Sequence, residues 1–323
     1  VNRQALDDLK QQIPLMRYLQ AHDWQPARRL SRGRWMGLCP LHEEHNPSFL
    51  VDPDKHLFYC YGCGRGGDVI RFAELYFGVQ FSHALSLLLQ WRGAQPVLQE
   101  AARFYQLQLD RYREAAAYLH QRGIRSRELI EHMRIGYAPG GCLRGWLTRG
   151  GHSLPALRQA GLVTSLGYDA YVHRIVFPLE GNLYGRSLSD SPAPHRFLPG
   201  SKGGLYGWAQ ARCYPEIVLV EGLFDYAVLW QAGFRNLTCS LGTQLNVRQL
   251  QQLCDAPRTI CIAFDSDRNG SGQRAAARLG QTLRERNLQV RIVHLPEGHD
   301  PNSFFRAGAD AHQFHLLLEA ARP

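Results

Sequence analysis

Two short knuckles constrain this chain more than anything else in it. Cys39-Pro-Leu-His42 and Cys60-Tyr-Gly-Cys63 each hold two residues between their ends, and 17 residues separate the pairs. A two-residue spacer lets one tight turn present both side chains to a single ion. Three thiolates with one imidazole fill a tetrahedral Zn²⁺ shell. A filled shell leaves no position for a substrate, so the spacing predicts one structural zinc held by Cys39, His42, Cys60 and Cys63. His45 and His56 are alternatives to His42 but lack the two-residue spacing. Gly62 and Gly64 suit the turn of the second knuckle. Eight cysteines in 323 residues are too few for a disulfide scaffold. Three of them clustered with a histidine point to metal in a reducing, cytoplasmic setting.

Arg34 and Lys55 lie near the knuckles in sequence, and Tyr61 lies inside the second. Cations track phosphates and aromatic faces stack on unpaired bases, so these three are candidates for nucleic-acid contact. Phe49 and Phe58 read instead as the small unit's own core. A net charge of +9 is compatible with a polyanionic partner. A composition 45% hydrophobic and 20% charged is that of a folded globular chain. No run approaches 18 consecutive apolar residues, so neither a membrane span nor a membrane partner is expected.

The pattern divides the chain into units at 1–95, 97–207 and 208–323. Gly93 and Pro96 make 92–96 read as a linker. The middle unit opens with helical stretches and continues with strand-like residues from Tyr171 to Tyr206. In the last unit Ile217–Val220, Leu237–Leu241, Ile260–Phe264 and Val290–Leu295 are short apolar runs separated by helical patterns. That alternation predicts a parallel α/β sheet. Glu221 ends the first run, Asp265 and Asp267 follow the third, and Asp300 follows the fourth. Carboxyl ends of parallel strands are where sites form. Carboxylates converging there repel one another unless cations neutralise them, and Mg²⁺ takes hard oxygen ligands. Asp225, on the helix after Gly222, reads as a residue that orients a ligand.

These residues together resemble the bacterial DnaG-type primases. The knuckles with Asn46-Pro47-Ser48-Phe49 between them look like that family's CHC2 zinc domain. IVLVEGLFDY (217–226), SLGT (240–243), FDSDRNGSGQRAA (264–276) and LPEGHDPNSF (295–304) look like its TOPRIM domain, a Rossmann-like parallel α/β unit. YLHQRGI (118–124), IGYAP (135–139), HRIVFPLEGNLYGRSLSD (173–190) and RFLPGSKGGLYG (196–207) resemble its basic N-terminal polymerase subdomain, an α+β unit. The resemblance implies a DNA primase that joins nucleoside triphosphates into a short RNA primer on single-stranded DNA. It implies a catalytic site at Glu221, Asp265 and Asp267, with Asp225 and Asp300 supporting Mg²⁺ or Mn²⁺. It places Arg174, Arg186, Arg196 and Lys202 against nucleotide or template. Asn302 stands where the family usually has Asp, which predicts a weaker metal position. The chain stops soon after Phe314–Leu318, short of the family's helicase-binding domain. The expectation is therefore a stand-alone form associated with a phage or mobile element, reaching a helicase or other replication protein by a non-standard contact. The alternatives are a catalytically weak primase-like protein that binds single-stranded DNA, and a TOPRIM nuclease.

Overall fold

The computed structural model describes residues 3–22 and 24–321, and for residues 3–5, 90 and 92–96 the backbone alone. Three sheets follow one another along the chain.

The first sheet is antiparallel, in the order Pro26–Arg29, Trp35–Gly37, Phe49–Asp52, Leu57–Cys60 and Gly66–Gly67. Its strands are short and alternate in burial. Phe49, Val51, Phe58 and Cys60 face inward, whereas Leu57 and Tyr59 face out. The inward residues pack with Tyr18, Trp24, Phe72 and Leu88 into a core of their own. Phe49 and Phe58 stack at 5.0 Å, as expected of core residues. Asp68 caps the helix Val69–Phe77 by accepting from Ile70 N and Arg71 N, and Gly78, at φ 64°, ends it.

The expected linker at 92–96 is instead helix. One 29-residue helix, Phe81–Leu109, runs through it. Its ends are anchored in different cores: Leu85 and Leu88 in the first, Val97, Leu98, Ala101 and Ala102 in a second. Packing at both ends outweighs the helix-breaking tendency of Gly93 and Pro96. No helix among the described residues is long and apolar enough to cross a membrane by itself.

The second sheet, also antiparallel, runs Gly136–Ala138, Arg174–Leu179, Asn182–Ser187 and His195–Phe197. Glu180 and Gly181 make the tight turn between its central strands, and Gly181 supplies the positive φ of 76°.

The third sheet is parallel, in the order Leu237–Cys239, Glu216–Val220, Thr259–Ala263 and Gln289–Ile292. Its central strands are apolar on both faces because cores cover both sides. The chain leaves Glu216–Val220 toward one edge and then returns to its other side at Thr259–Ala263. Order therefore reverses between these two strands, which is where a crevice opens in such sheets. The core on one face of this sheet continues into the second sheet through Ile175, Phe177 and Tyr184.

Candidate active site and metal centres

The knuckle residues meet as their spacing predicts. The ligand atoms of Cys39, His42, Cys60 and Cys63 all lie within 4.8 Å of one another. The donor set fits Zn²⁺ with no position left open. His45 is exposed and lines a crevice facing Gln251, and His56 sits in a turn at φ 53°. Neither joins the cluster. Gly64 has the left-handed φ of 69° that a knuckle turn asks of glycine. Gly62 is glycine for a different reason. A Cβ there would stand 2.7 Å from His42 Nε2 and 2.8 Å from Ser48 Oγ.

Arg34 is half-buried, its Nε donating to the Ser31 carbonyl. Lys55 is exposed at the turn before Leu57–Cys60. Tyr61 is 65% exposed and meets Tyr59 edge-on at 5.1 Å. Leu57 and Tyr59, on the outward face of the same strand, are also exposed.

The reversal point of the parallel sheet places Glu221 directly after Val220 and Asp265 two residues after Ala263, whose strands pair Val220 with Ala263. Glu221, Asp225, Asp265 and Asp300 line one cavity of about 480 Å³. Burial pushes the Asp265 carboxyl up to about 7, with Glu221, Asp300 and Asp267 adding to the shift. Burial also raises Glu221, helped by Asp267 and Asp300. Among the described residues no Lys or Arg pairs with any of these carboxylates, and Asp265 Oδ1 is buried without a partner. Packed like charges with an orphaned oxygen suit hard divalent cations.

The supporting acids are engaged differently. Asp225 is buried, and its oxygens accept from the backbone N–H groups of Gly222 and Asn302, each at 3.0 Å. Asp300 caps the helix Pro301–Arg306 through Ser303 N and keeps a face on the cavity. Asp267 stands outside the cavity lining. Its Oδ2 accepts from Ser271 Oγ at 2.6 Å, and that hydroxyl holds its carboxyl below the usual range. The helix Ser271–Arg284 starts so close to the third strand that a Cβ on Gly272 would lie 2.2 Å from the Asp265 carbonyl oxygen. Asn302 does not reach the cavity surface. It is 1% exposed, and its Nδ2 donates to the Arg122 carbonyl at 2.7 Å.

The cavity also carries basic residues. Arg122, Arg186, His195, Tyr184 and Phe197 line the same cavity. Arg122 lies 4.6 Å over the Phe224 ring, and its buried Nε has no partner. Arg186 is held by Tyr118 Oη and by His195 Nε2. Arginine only donates, so this His195 nitrogen accepts and the ring is neutral. Burial and the neighbouring arginines push the His195 ring down to about 4, consistent with that state.

The structure does not bring every predicted cation here. Arg174 is 7% exposed and its guanidinium donates to the carbonyls of Gly185, Ala193 and Pro194. Arg196 alternates with His195 and Phe197 along the strand and so points to the other face, donating to the Ala170 carbonyl. Lys202 sits at the margin, donating to the carbonyl of Leu241, which lines the cavity. Arg122 and His195 were not singled out by the sequence. Arg122 lies inside the motif YLHQRGI, and only packing against Phe224 reveals what it faces.

Three family profiles match successive parts of the chain. The profile of the CHC2 zinc finger matches residues 1–103, that of the DNA primase catalytic core N-terminal domain 104–188, and a Toprim-like profile 218–305. The DNA primase of Halalkalibacterium halodurans is 31% identical over 88% of this chain and 55% of that protein. The chain thus spans about half the length of the curated relatives it matches. Among solved structures, the zinc-binding and RNA polymerase domains of the Aquifex aeolicus primase superpose with a TM-score of 0.62 at 26% identity, over 98% of this chain and 85% of that one. A DnaG primase catalytic domain bound to ssDNA gives 0.61 at 26% identity, over 72% and 83%. A DNA primase domain from Pseudomonas aeruginosa gives 0.61 at 31% identity, over 71% and 79%. The zinc-finger, catalytic-core and Toprim-like profiles match in that order along one chain, and the chain belongs to the DnaG-type primase family.

Proposed function

We propose that this chain is a priming polymerase. It would synthesise short RNA on a single-stranded DNA template by nucleotidyl transfer dependent on Mg²⁺ or Mn²⁺. The observation that carries the reading is one cavity lined both by carboxylates that no Lys or Arg neutralises and by Arg122, whose Nε has no partner. An enzyme that joins nucleoside triphosphates needs both, one for cations and one for phosphates.

Glu221, Asp265 and Asp300 would hold the cations, with Asp267 at the rim completing the outer coordination. Asp225 is better suited to positioning, since two backbone N–H groups already occupy its oxygens. Mg²⁺ or Mn²⁺ bound there would make the primer 3′-hydroxyl more acidic and offset charge on the departing pyrophosphate. Arg122 and Arg186 would orient the triphosphate in the cavity they share with the carboxylates. Neutral His195 would hold the Arg186 guanidinium without adding a charge of its own. Zn²⁺ at Cys39, His42, Cys60 and Cys63 would hold the first unit in shape, presenting Tyr61, Lys55 and Arg34 to the template strand. The units 1–95, 97–207 and 208–323 would divide the work, with their first boundary inside a continuous helix.

The test is incorporation of labelled ribonucleotides on single-stranded DNA by the purified chain. Template-dependent products supported by Mg²⁺ or Mn²⁺ are expected. DNA binding without incorporation would favour a catalytically weak binding protein, and strand cleavage would favour a nuclease. Arg122→Ala should raise the KM for nucleotide about tenfold or more, a loss of about 1.4 kcal/mol or greater, for removal of a charge-assisted contact. An unchanged KM would remove Arg122 from the triphosphate site.

A further inference from the structure

One carboxylate outside the catalytic cavity is committed to the zinc knuckles without being a ligand. Glu44 is 11% exposed at its side chain. Its Oε1 accepts from Cys39 N at 2.7 Å and from Ser48 N at 3.1 Å. Its Oε2 accepts from Ser48 Oγ and faces His42 Nε2 at 3.4 Å. The other ring nitrogen, Nδ1, is the one turned to the sulfurs, 3.9 Å from Cys60 Sγ. Ser48 extends the network to the second knuckle. Its Oγ accepts from Gly62 N at 3.1 Å and lies 3.1 Å from Cys60 Sγ, and its carbonyl accepts from Tyr61 N at 2.9 Å.

A neutral imidazole has one N–H and one lone pair. A metal at the sulfur cluster needs the lone pair on Nδ1, which leaves the proton on Nε2, the nitrogen that faces Glu44. A carboxylate behind a ligating histidine fixes its tautomer and raises its basicity.

We propose that Glu44 is a positioning residue for the zinc site. It sets the His42 tautomer and, through Ser48, ties the Cys39–His42 knuckle to the Cys60–Cys63 knuckle. Zinc retention therefore depends on a residue that never touches the ion. Gly62 is part of the same device, because a Cβ there would come within 3.0 Å of Glu44 Oε2 as well as of the His42 ring. This inference does not depend on the primase reading.

The experiment follows zinc transfer from the zinc-loaded 323-residue chain to a chromogenic chelator, with Glu44→Ala, Glu44→Gln and Gly62→Ala compared with wild type. Exposed Glu43→Gln serves as the control. Glu44→Ala should lose about 10- to 100-fold in zinc affinity. The near-isosteric Glu44→Gln should fall between it and wild type, because an amide keeps an acceptor for Cys39 N but loses the charge facing His42. Gly62→Ala should weaken zinc without altering any ligand. The Co²⁺-substituted absorption band should shift in Glu44→Gln, reporting a reoriented imidazole. If Glu44→Ala does not fold, Glu44→Gln decides. Zinc transfer and a Co²⁺ band indistinguishable from wild type in Glu44→Gln would overturn the proposal.

Discussion

Cys60→Ser is expected to empty the zinc site and melt the N-terminal unit while the other cores stay folded. Cys60 is fully buried, ends the strand Leu57–Cys60 and pairs with Phe49 across the sheet. Its sulfur is one of the four clustered donors, and its side chain belongs to the core that holds Tyr18, Trp24 and Phe72. A serine hydroxyl is a poor zinc ligand, and binding to structural sites in small zinc domains is worth about 10–16 kcal/mol. That exceeds what a small core supplies by itself. The remaining cores share no buried residue with this one, so their transition should persist. Calorimetry should show a separate early transition lost in Cys60→Ser, with zinc content falling in parallel. An unchanged melting profile at full zinc loss would show that zinc does not hold the unit together.

The second large effect concerns Asp265, and its sign is unusual for an acidic residue. Its carboxyl is pushed up to about 7, above the usual value near 3.8. The folded state therefore binds this proton more tightly than the unfolded state. The associated stability is present below about pH 4 and is lost as pH rises through about 7. Metal-free wild-type protein should thus weaken over that range, by a few kcal/mol at most. Asp265→Asn removes the buried charge and should make the metal-free protein more stable than wild type at pH 8, by several degrees in Tm. Added Mn²⁺ should raise the wild-type Tm more than that of the variant. Activity should move the opposite way, falling about a thousandfold, which corresponds to about 4 kcal/mol of transition-state stabilisation. A variant less stable than wild type at pH 8 without metal would contradict the crowding of charges inferred at this site.

Much of this arrangement is local, and local chemistry is what a sequence displays. The zinc ligands follow from spacing within two turns. Glu221 and Asp265 follow from their places at the ends of apolar runs, because strand direction fixes which end of a parallel sheet they occupy. What escaped depends on long-range packing. Arg122 becomes a cavity residue only because its helix docks on Phe224, a hundred or so positions later, at 4.6 Å. Arg174 looks like an exposed cation in a strand but is consumed by carbonyls of the loop 193–194. Arg196 and His195 differ by one position, and register puts the histidine, not the arginine, on the cavity. Asn302 sits in a metal-binding pattern, yet its amide is drawn to the Arg122 carbonyl. Gly93 and Pro96 suggest a break that anchoring at both helix ends overrides.

The central claim is that the carboxylates at the sheet's reversal point carry nucleotidyl transfer and the zinc carries none of it. Labelled-ribonucleotide incorporation on single-stranded DNA, with Mg²⁺ or Mn²⁺, by wild type and by the double variant Asp265→Ala, Asp267→Ala tests it most directly. Zinc content and DNA binding are measured on the same samples. The account predicts short template-dependent RNA from wild type, and none from a variant that keeps its zinc and its DNA affinity. Wild-type yield from the zinc-loaded double variant would contradict it.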